Sequence, residues 1–358
     1  MNKKLRNILT LSLALLSTIS FAQSWDLESR TRANMHGDGG MMTVDERASL
    51  GFTVGGDNWG VHLSSDVDYT HHGNDNGSDV GATLYEAYAS TDLFGFANLT
   101  VGRQAWDFGS GAIIGSNQWG DKTTRDGMLL GINNDVVDVS LGWSSLNDGS
   151  GMDDWTYSLI NASKSMGDFS ANLLVIGQTD GTNDIALSGL DVGYSAMGGK
   201  LDLTLSANAA TDGELEADFT TIGATYNVSD NLSINASQTT YGDGEEFYLG
   251  GTNWGTNRNE MGEYAGGSWM SHGNLGYLRS DDVNLSIGVD YATGDFDISY
   301  SMHTITNNSD SEYEKAASEL SVGYSLNDNA SLSLKWATDD RFNDDGDDYM
   351  WLTMTVRP

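Results

Sequence analysis

Residues 58–70, NWGVHLSSDVDYT, decide the fold, because apolar and polar side chains alternate along them almost strictly. One face of the extended chain carries Trp59, Val61, Leu63, Ser65, Val67 and Tyr69. The other face carries Gly60, His62, Ser64, Asp66, Asp68 and Thr70. An extended strand covers about 33 Å between Trp59 and Tyr69, or roughly 25 Å when tilted by about 40°. That height matches the apolar band of a membrane barrel, with an aromatic residue at each rim.

The same alternation recurs along the chain, for example in 201–207 and 283–291, where Leu203 and Val289 are predicted to face lipid. The predicted strands are 25–35, 44–54, 58–70, 82–92, 96–106, 124–133, 136–147, 154–164, 168–178, 184–195, 199–210, 216–227, 231–242, 282–292, 295–305, 315–326, 329–339 and 348–357. The sequence therefore predicts an all-β protein, an antiparallel transmembrane β-barrel of about 18 strands, an even number typical of single-chain bacterial barrels.

The connections between these strands alternate in length. Short ones at 55–57, 134–135, 196–198 and 293–294 carry turn residues, whereas 107–123, 243–281 and 340–347 are long. Short turns of such barrels face the periplasm and long loops face outside, which places both chain ends on the periplasmic side.

The composition restricts the function. Acidic residues outnumber basic ones by 51 to 17, which disfavours any nucleic-acid partner. The chain has no cysteine, and its single proline is Pro358, as expected for a chain that is almost entirely paired strand.

The first residues predict export. Lys3, Lys4 and Arg6 precede an apolar stretch from Ile8 to Ile19, and Ser20-Phe21-Ala22 forms a small-x-small cleavage motif. The apolar stretch is too short for a transmembrane anchor. We therefore expect a cleaved signal peptide, residues 1–22, followed by one barrel domain, residues 23–358, in the outer membrane of a Gram-negative bacterium. Its expected partners are outer-membrane lipids and small hydrophilic solutes.

Charged residues on the polar strand faces are the candidate pore lining. The basic candidates are Arg30, Arg32, Arg47, Arg103 and Arg125, and the acidic ones are Asp26, Glu28, Asp45, Asp66, Asp68 and Glu86, with Asp138, Asp202, Asp290 and Glu319 further along. Either a basic wall faces an acidic wall and orients solutes, or acids on neighbouring strands simply neutralise the arginines. Strict alternation places Arg103 on the lipid face, unless Gly102 forms a bulge or Arg103 lies at the rim. The 107–123 loop beside it would form a constriction if it folded inward.

The sequence also contains residues that could serve calcium binding or catalysis. Acidic runs at 74–79, 153–154 and 339–348 contain calcium-type ligands but lack the spacing of a full calcium loop, so a solvated acidic rim is favoured and no cofactor is required. His62-Leu63-Ser64 and His71-His72 offer a base and a nucleophile, but residues two apart on a strand are about 7 Å apart. We therefore predict no enzyme activity.

Three stretches of the sequence resemble the alginate export family of outer-membrane barrels. The first is Val101-Gly102-Arg103-Gln104 with 109–119 and 125–127, and the second is 319–334. The third is the C-terminal segment, from the acidic loop after Asp339 through Tyr349–Val356. The resemblance implies an 18-stranded monomeric barrel with a polar pore. Two departures from that family are the acidic composition, since its namesakes move a polyanion, and the ending Val356-Arg357-Pro358 in place of a terminal aromatic residue.

The predicted function is passive diffusion of small hydrophilic solutes through a porin-like channel. The alternatives are an export conduit for a polysaccharide and a non-conducting barrel that acts as a scaffold or binds partners through its loops. Because lumen acids outnumber lumen bases, the expected pore is weakly cation-selective or unselective, with local anion attraction near Arg30, Arg32, Arg47 and Arg125.

Overall fold

The structure is a computed structural model, and it describes residues 22–35, 42–71, 80–114, 124–132, 134–146, 155–182, 184–213, 215–244, 278–341 and 347–358. The strands are β1 Ala22–Asn34, β2 Thr43–Gly56, β3 Trp59–His71, β4 Val80–Leu93, β5 Ala97–Ala105, β6 Thr124–Ile132, β7 Asp138–Leu146, β8 Trp155–Met166, β9 Phe169–Thr179, β10 Asp184–Ala196, β11 Leu201–Asp212, β12 Leu215–Ser229, β13 Leu232–Tyr241, β14 Asp282–Thr293, β15 Phe296–Asn307, β16 Glu314–Asn327, β17 Ala330–Asp339 and β18 Asp347–Val356. Every predicted strand corresponds to one of these, with ends that differ by at most three residues.

The 18 strands form one antiparallel sheet that closes on itself, which confirms the predicted fold class. Each strand pairs with its neighbours in sequence, and β1 closes the barrel against β18. The closing register runs from Ser29 opposite Val356 to Asn34 opposite Trp351. Closure leaves no unpaired sheet edge, as a strand in lipid requires.

The two ends of the barrel differ. The connections that follow even-numbered strands are short, such as 57–58, 167–168 and 294–295, and we call this end the turn end. The odd-numbered strands end at the opposite end of the barrel, which we call the loop end. Residues 1–21, which carry most of the predicted signal peptide, lie outside the described residues, so the signal peptide stays a prediction.

The outer face is apolar. Leu203 and Val289, predicted to face lipid, are 40% and 37% exposed on this face. Exposed aromatic residues gather near the turn end: Trp25, Trp59, Phe94, Phe96, Phe169, Tyr194, Tyr226, Tyr291 and Phe296. They form the aromatic girdle expected where such a barrel meets the membrane surface. Among the residues that the structure describes, no helix is long and apolar enough to cross a membrane.

A β-bulge in β4 determines which residues of that strand face inward. Ser64 pairs with Glu86 and Ser65 pairs with Leu84, so Tyr85 is the extra residue. Leu84 faces outward, and the bulge shifts the alternation so that Glu86 faces inward. The pairing of β5 shows no such shift at Gly102, so the bulge suggested there from the sequence is absent.

Candidate functional site in the barrel lumen

Three arginines gather on the inner faces of β1 and β2. Arg30 lies directly opposite Arg47, and Arg32 lies opposite Asp45. Arginines that face each other across a strand pair repel, so this arrangement persists only where other charges compensate it.

Acidic residues supply that compensation unevenly. Arg47 is 4% exposed and forms an ion pair with Asp66, with Asp68 at 3.8 Å from its Nε. Arg30 Nη2 lies 2.6 Å from Glu28 Oε1, and the side chain of Arg30 keeps an 18% exposed fraction. Breaking a buried pair leaves an uncompensated charge, so Arg47 is structural, whereas Arg30 presents a guanidinium to the lumen.

Some acidic residues near the arginines have partners that the sequence did not predict. Asp45 accepts hydrogen bonds from Asn34 Nδ2 at 2.6 Å and from Thr70 Oγ1 at 2.8 Å. Glu28 also pairs with Arg357 Nη2 at 2.6 Å. Asp26 lies on the inner face of β1, against Gly51 of β2.

The remaining predicted acids also lie on inner strand faces. Glu86 Oε2 is 3.5 Å from His62 Nε2, and Glu319 Oε2 is 2.7 Å from Lys335 Nζ. Asp202 accepts a hydrogen bond from Ser195 Oγ at 2.6 Å, and Asp290 accepts one from Asn235 Nδ2 at 2.8 Å.

The His62–Ser64 arrangement does not form a catalytic pair. His62 Nδ1 lies 2.8 Å from Thr53 Oγ1, while Ser64 Oγ accepts the backbone N–H of Glu86 at 3.1 Å. The base and the hydroxyl therefore have different partners, and the geometry that a nucleophile needs is not formed.

Arg103 and Arg125 lie on opposite faces, which corrects one sequence-based assignment. Arg103 shares the outer face of β5 with Val101 and pairs there with Asp126, at 2.7 Å between Nη2 and Oδ2. Arg103 lies near the loop end of β5. It is on the outer face, as strict alternation predicts, and is therefore not part of the pore lining. Arg125 points inward, with its guanidinium 4.8 Å from the ring centre of Tyr157.

Residues 106–114, which we call the inward segment, leave β5 and fold against the inner wall. Trp106 is 1% exposed, and its ring lies over Gly142 of β7. Further along, Ser110 contacts β10 and β11, which lie five and six strands from β5 around the barrel. The predicted inward fold of the 107–123 loop therefore holds for the part that the structure describes.

The wall under the inward segment is apolar, which the sequence reading missed. The buried apolar cluster includes Trp106, Ile113, Ile114, Tyr157, Leu159, Leu174, Ile176, Ile185 and Leu187. A signal was present in Leu173-Leu174-Val175-Ile176, because an apolar run without alternation indicates a strand that is buried on both faces.

A cavity of about 780 Å³, lined by both apolar and polar side chains, borders the inward segment. Its lining includes Asp138, Lys164, Asn172, Asp191 and Thr204. Asp191 was not among the predicted pore residues, although alternation with Leu190 and Val192 places it on the inner face. The cavity leaves open space beside the inward segment.

At the loop end, charges are paired and partly shielded. Arg341 Nη2 lies 2.5 Å from Asp339 Oδ2, and Arg279 Nη2 lies 3.4 Å from Asp282 Oδ1. The guanidinium of Arg279 also lies 4.1 Å from the ring centre of Tyr313. Burial raises the pKa of the Tyr313 phenol above its ordinary value.

The calcium alternative remains a prediction. The runs 74–79 and 153–154 and residues 342–346 lie outside the described residues. Within the described part of the chain, no group of three or more His, Cys, Asp or Glu side chains is placed to hold a metal ion.

No protein-family profile matches the sequence, and no curated protein matches it in sequence. Solved structures do match the fold. The barrel superposes on Pseudomonas aeruginosa OpdK solved with vanillate, with a TM-score of 0.69 and 12% identity, covering 95% of this chain and 100% of that chain. It superposes on Acinetobacter baumannii OccAB4 with a TM-score of 0.64 and 11% identity, covering 95% and 99% of the two chains. Pseudomonas aeruginosa OprD gives a TM-score of 0.63 and 10% identity, covering 96% and 97%.

These proteins are outer-membrane porins of the OprD and Occ group, and they are not enzymes. The prediction of an alginate export barrel was therefore wrong. The stretch around 101–127 that carried it contains the end of β5, the inward segment and the start of β6. The polysaccharide conduit rested on that resemblance and loses its basis with it.

Proposed function

We propose that this chain is a passive channel for small hydrophilic solutes in the outer membrane of a Gram-negative bacterium. The observation that carries the proposal is the closed barrel whose outer face is apolar while its inner face carries paired charges, hydroxyls and amides. An apolar exterior partitions the chain into lipid, and the polar interior replaces water around a passing solute.

The lumen offers two different surfaces to that solute. The inward segment lies on the wall of β9, β10 and β11, and the arginines of β1 and β2 lie on the opposite side of the barrel. A solute passes between these two surfaces.

A carboxylate is the group that this passage recognises. Arginine binds carboxylates through two parallel hydrogen bonds, and the side chain of Arg30 is 18% exposed on the inner face of β1. OpdK, which shares the fold, was solved with vanillate, an aromatic carboxylate. Both points support a small organic carboxylate as a solute of this channel.

Bulk ions experience a different average field. Arg30 and Arg47 are each paired with an acid, and further acids at Asp45, Asp202 and Asp290 line the inner face. The proposed pore is therefore weakly cation-selective or unselective for salt, although it binds a carboxylate locally at Arg30.

The test is single-channel recording of the refolded protein in planar bilayers, with vanillate added as the probe. Vanillate should block the potassium chloride current in a concentration-dependent way. Arg30→Ser should weaken that block about tenfold while the open conductance changes little. Arg357→Ser is the matched control, since Arg357 shares Glu28 but is 63% exposed beside the turn end. Equal loss of block in both variants, or no block of the wild type, would rule out carboxylate recognition at Arg30.

A further inference from the structure

The inward segment is held to the wall formed by β10 and β11 through contacts of Ser110, which we call the seat. The backbone N–H of Ser110 donates to Asp191 Oδ2 at 2.8 Å. The Ser110 hydroxyl lies 3.2 Å from the hydroxyl of Ser206. Asp191 and Ser206 are directly opposite each other in the β10–β11 register, so one cross-strand pair contacts Ser110 through both its backbone and its side chain.

Glycines on both sides allow this close approach. A Cβ atom at Gly109 would come within 2.4 Å of Asp191 Oδ2 and 2.7 Å of Asn172 Nδ2, and the residue has a φ of +65°. A Cβ atom at Gly189 would come within 2.7 Å of Ile113 Cδ1. A side chain at either position requires the facing side chains, or the inward segment itself, to shift, and at Gly109 it also meets an unfavourable φ.

The seat also contains unsatisfied polar atoms. Asp191 Oδ1 and Asn172 Nδ2 are buried, and neither has a hydrogen-bond partner within the described part of the chain. A buried polar atom without a partner is unfavourable, and water reaches both atoms if the inward segment lifts. These two atoms disfavour the seated arrangement, and the Ser110–Asp191 hydrogen bond favours it.

We infer that Asp191 is a positioning residue of the channel: its carboxylate fixes the inward segment against β10 and β11 and so sets the width of the passage. This inference rests on the proposed channel function. The side chain acts through the backbone of Ser110 and does not need to touch the solute.

The first experiment compares single-channel currents of Asp191→Ala and Asp202→Ala. Each variant removes one negative charge from the lumen, but Asp202 bonds to Ser195 and Asn227 and does not contact the inward segment. Loss of a charge-assisted hydrogen bond shifts an equilibrium by roughly tenfold or more. Asp191→Ala should therefore show current transitions about ten times as frequent as wild type, with a larger peak conductance. Asp202→Ala should keep the wild-type frequency of current transitions. An Asp191→Ala channel with no more transitions than wild type would overturn the inference.

The second experiment locks the seat. The chain has no cysteine, and the two hydroxyl oxygens at 3.2 Å suit a disulfide in the double variant Ser110→Cys with Ser206→Cys. In the Asp191→Ala background, oxidation should suppress the extra transitions and reduction should restore them. Persistence of the transitions after complete oxidation would refute the seat as their source.

The disulfide also separates this inference from the channel proposal. Its yield on a non-reducing gel needs no current, so it tests the seat even if the wild type does not conduct. If the seat is correct, the disulfide should form rapidly and completely in the otherwise wild-type chain. Asp191→Ala should slow its formation about tenfold. Equal yields in the two backgrounds would contradict it, whereas a non-conducting wild type with this difference in yield would refute only the channel.

Discussion

Replacement of Ile287 with arginine tests the assignment of inside and outside most sharply. Ile287 is 55% exposed on the outer face of β14 and lies opposite Met302, which is 58% exposed. It lies six residues from Thr293, at the turn end of the strand. Six residues at about 3.4 Å each, tilted by about 40°, place it roughly 15 Å from that end, near the middle of the roughly 25 Å apolar band.

Because arginine at the bilayer midplane costs about 2–4 kcal/mol, Ile287→Arg should lower the free energy of unfolding by that amount. Leu203 also faces outward, but it lies only two residues from the start of β11, so Leu203→Arg should cost about 0–1 kcal/mol. Ser286→Arg, one residue from Ile287 but on the inner face, is the matched control and should be tolerated. The measurement is reversible urea unfolding in phospholipid vesicles. Equal losses for Ile287→Arg and Ser286→Arg would refute the assignment of the two faces.

Three further predictions concern stability and architecture. Arg47→Leu should cost about 3–5 kcal/mol in the same unfolding assay, because Asp66 is left buried without its counter-ion. Adding Asp66→Leu should recover most of that loss, and a double variant no more stable than the single one would contradict the reason given. Met197→Gly should stabilise the barrel by about 1 kcal/mol, since Met197 has a left-handed φ of 56° and is 66% exposed; an unchanged free energy would show that the turn is unstrained. The folded protein should migrate faster than the boiled protein on gels and give a β-dominated far-ultraviolet spectrum, and a strong helical signal would contradict the barrel.

The fold could be predicted from the sequence because each strand carries its own evidence. In a membrane barrel every strand must present an apolar face to lipid, so alternation such as that of 58–70 is required along the whole chain. Turn residues between the strands then fix most of the boundaries. The β-bulge in β4 could not be predicted in this way, since the extra residue Tyr85 depends on how β4 pairs with β3.

The lumen could be predicted only in part. Alternation predicts an inner-face position for Arg30, Arg32 and Arg47, which lie on the inner faces of β1 and β2, and it also pointed to the outer face for Arg103. The seat of the inward segment was not predicted, because contacts such as Ser110 with Asp191 join residues 81 positions apart. Such pairs depend on the path of a loop through the lumen, which no local pattern records.

The resemblance to the alginate export family shows a related limit. The resemblance rested on short matches around strand ends and one long loop, whereas the superposition on OpdK, OccAB4 and OprD uses nearly the whole chain. Similarity in barrel architecture therefore gave the better comparison, although the sequence identities are only 12%, 11% and 10%.

Single-channel recording of the wild-type protein under a potassium chloride gradient tests the central claim most directly. The account predicts a steady, ohmic conductance with a reversal potential near zero or slightly shifted toward cation selectivity. A barrel that inserts, shows the heat-modifiable folded form and yet carries no current would contradict the channel.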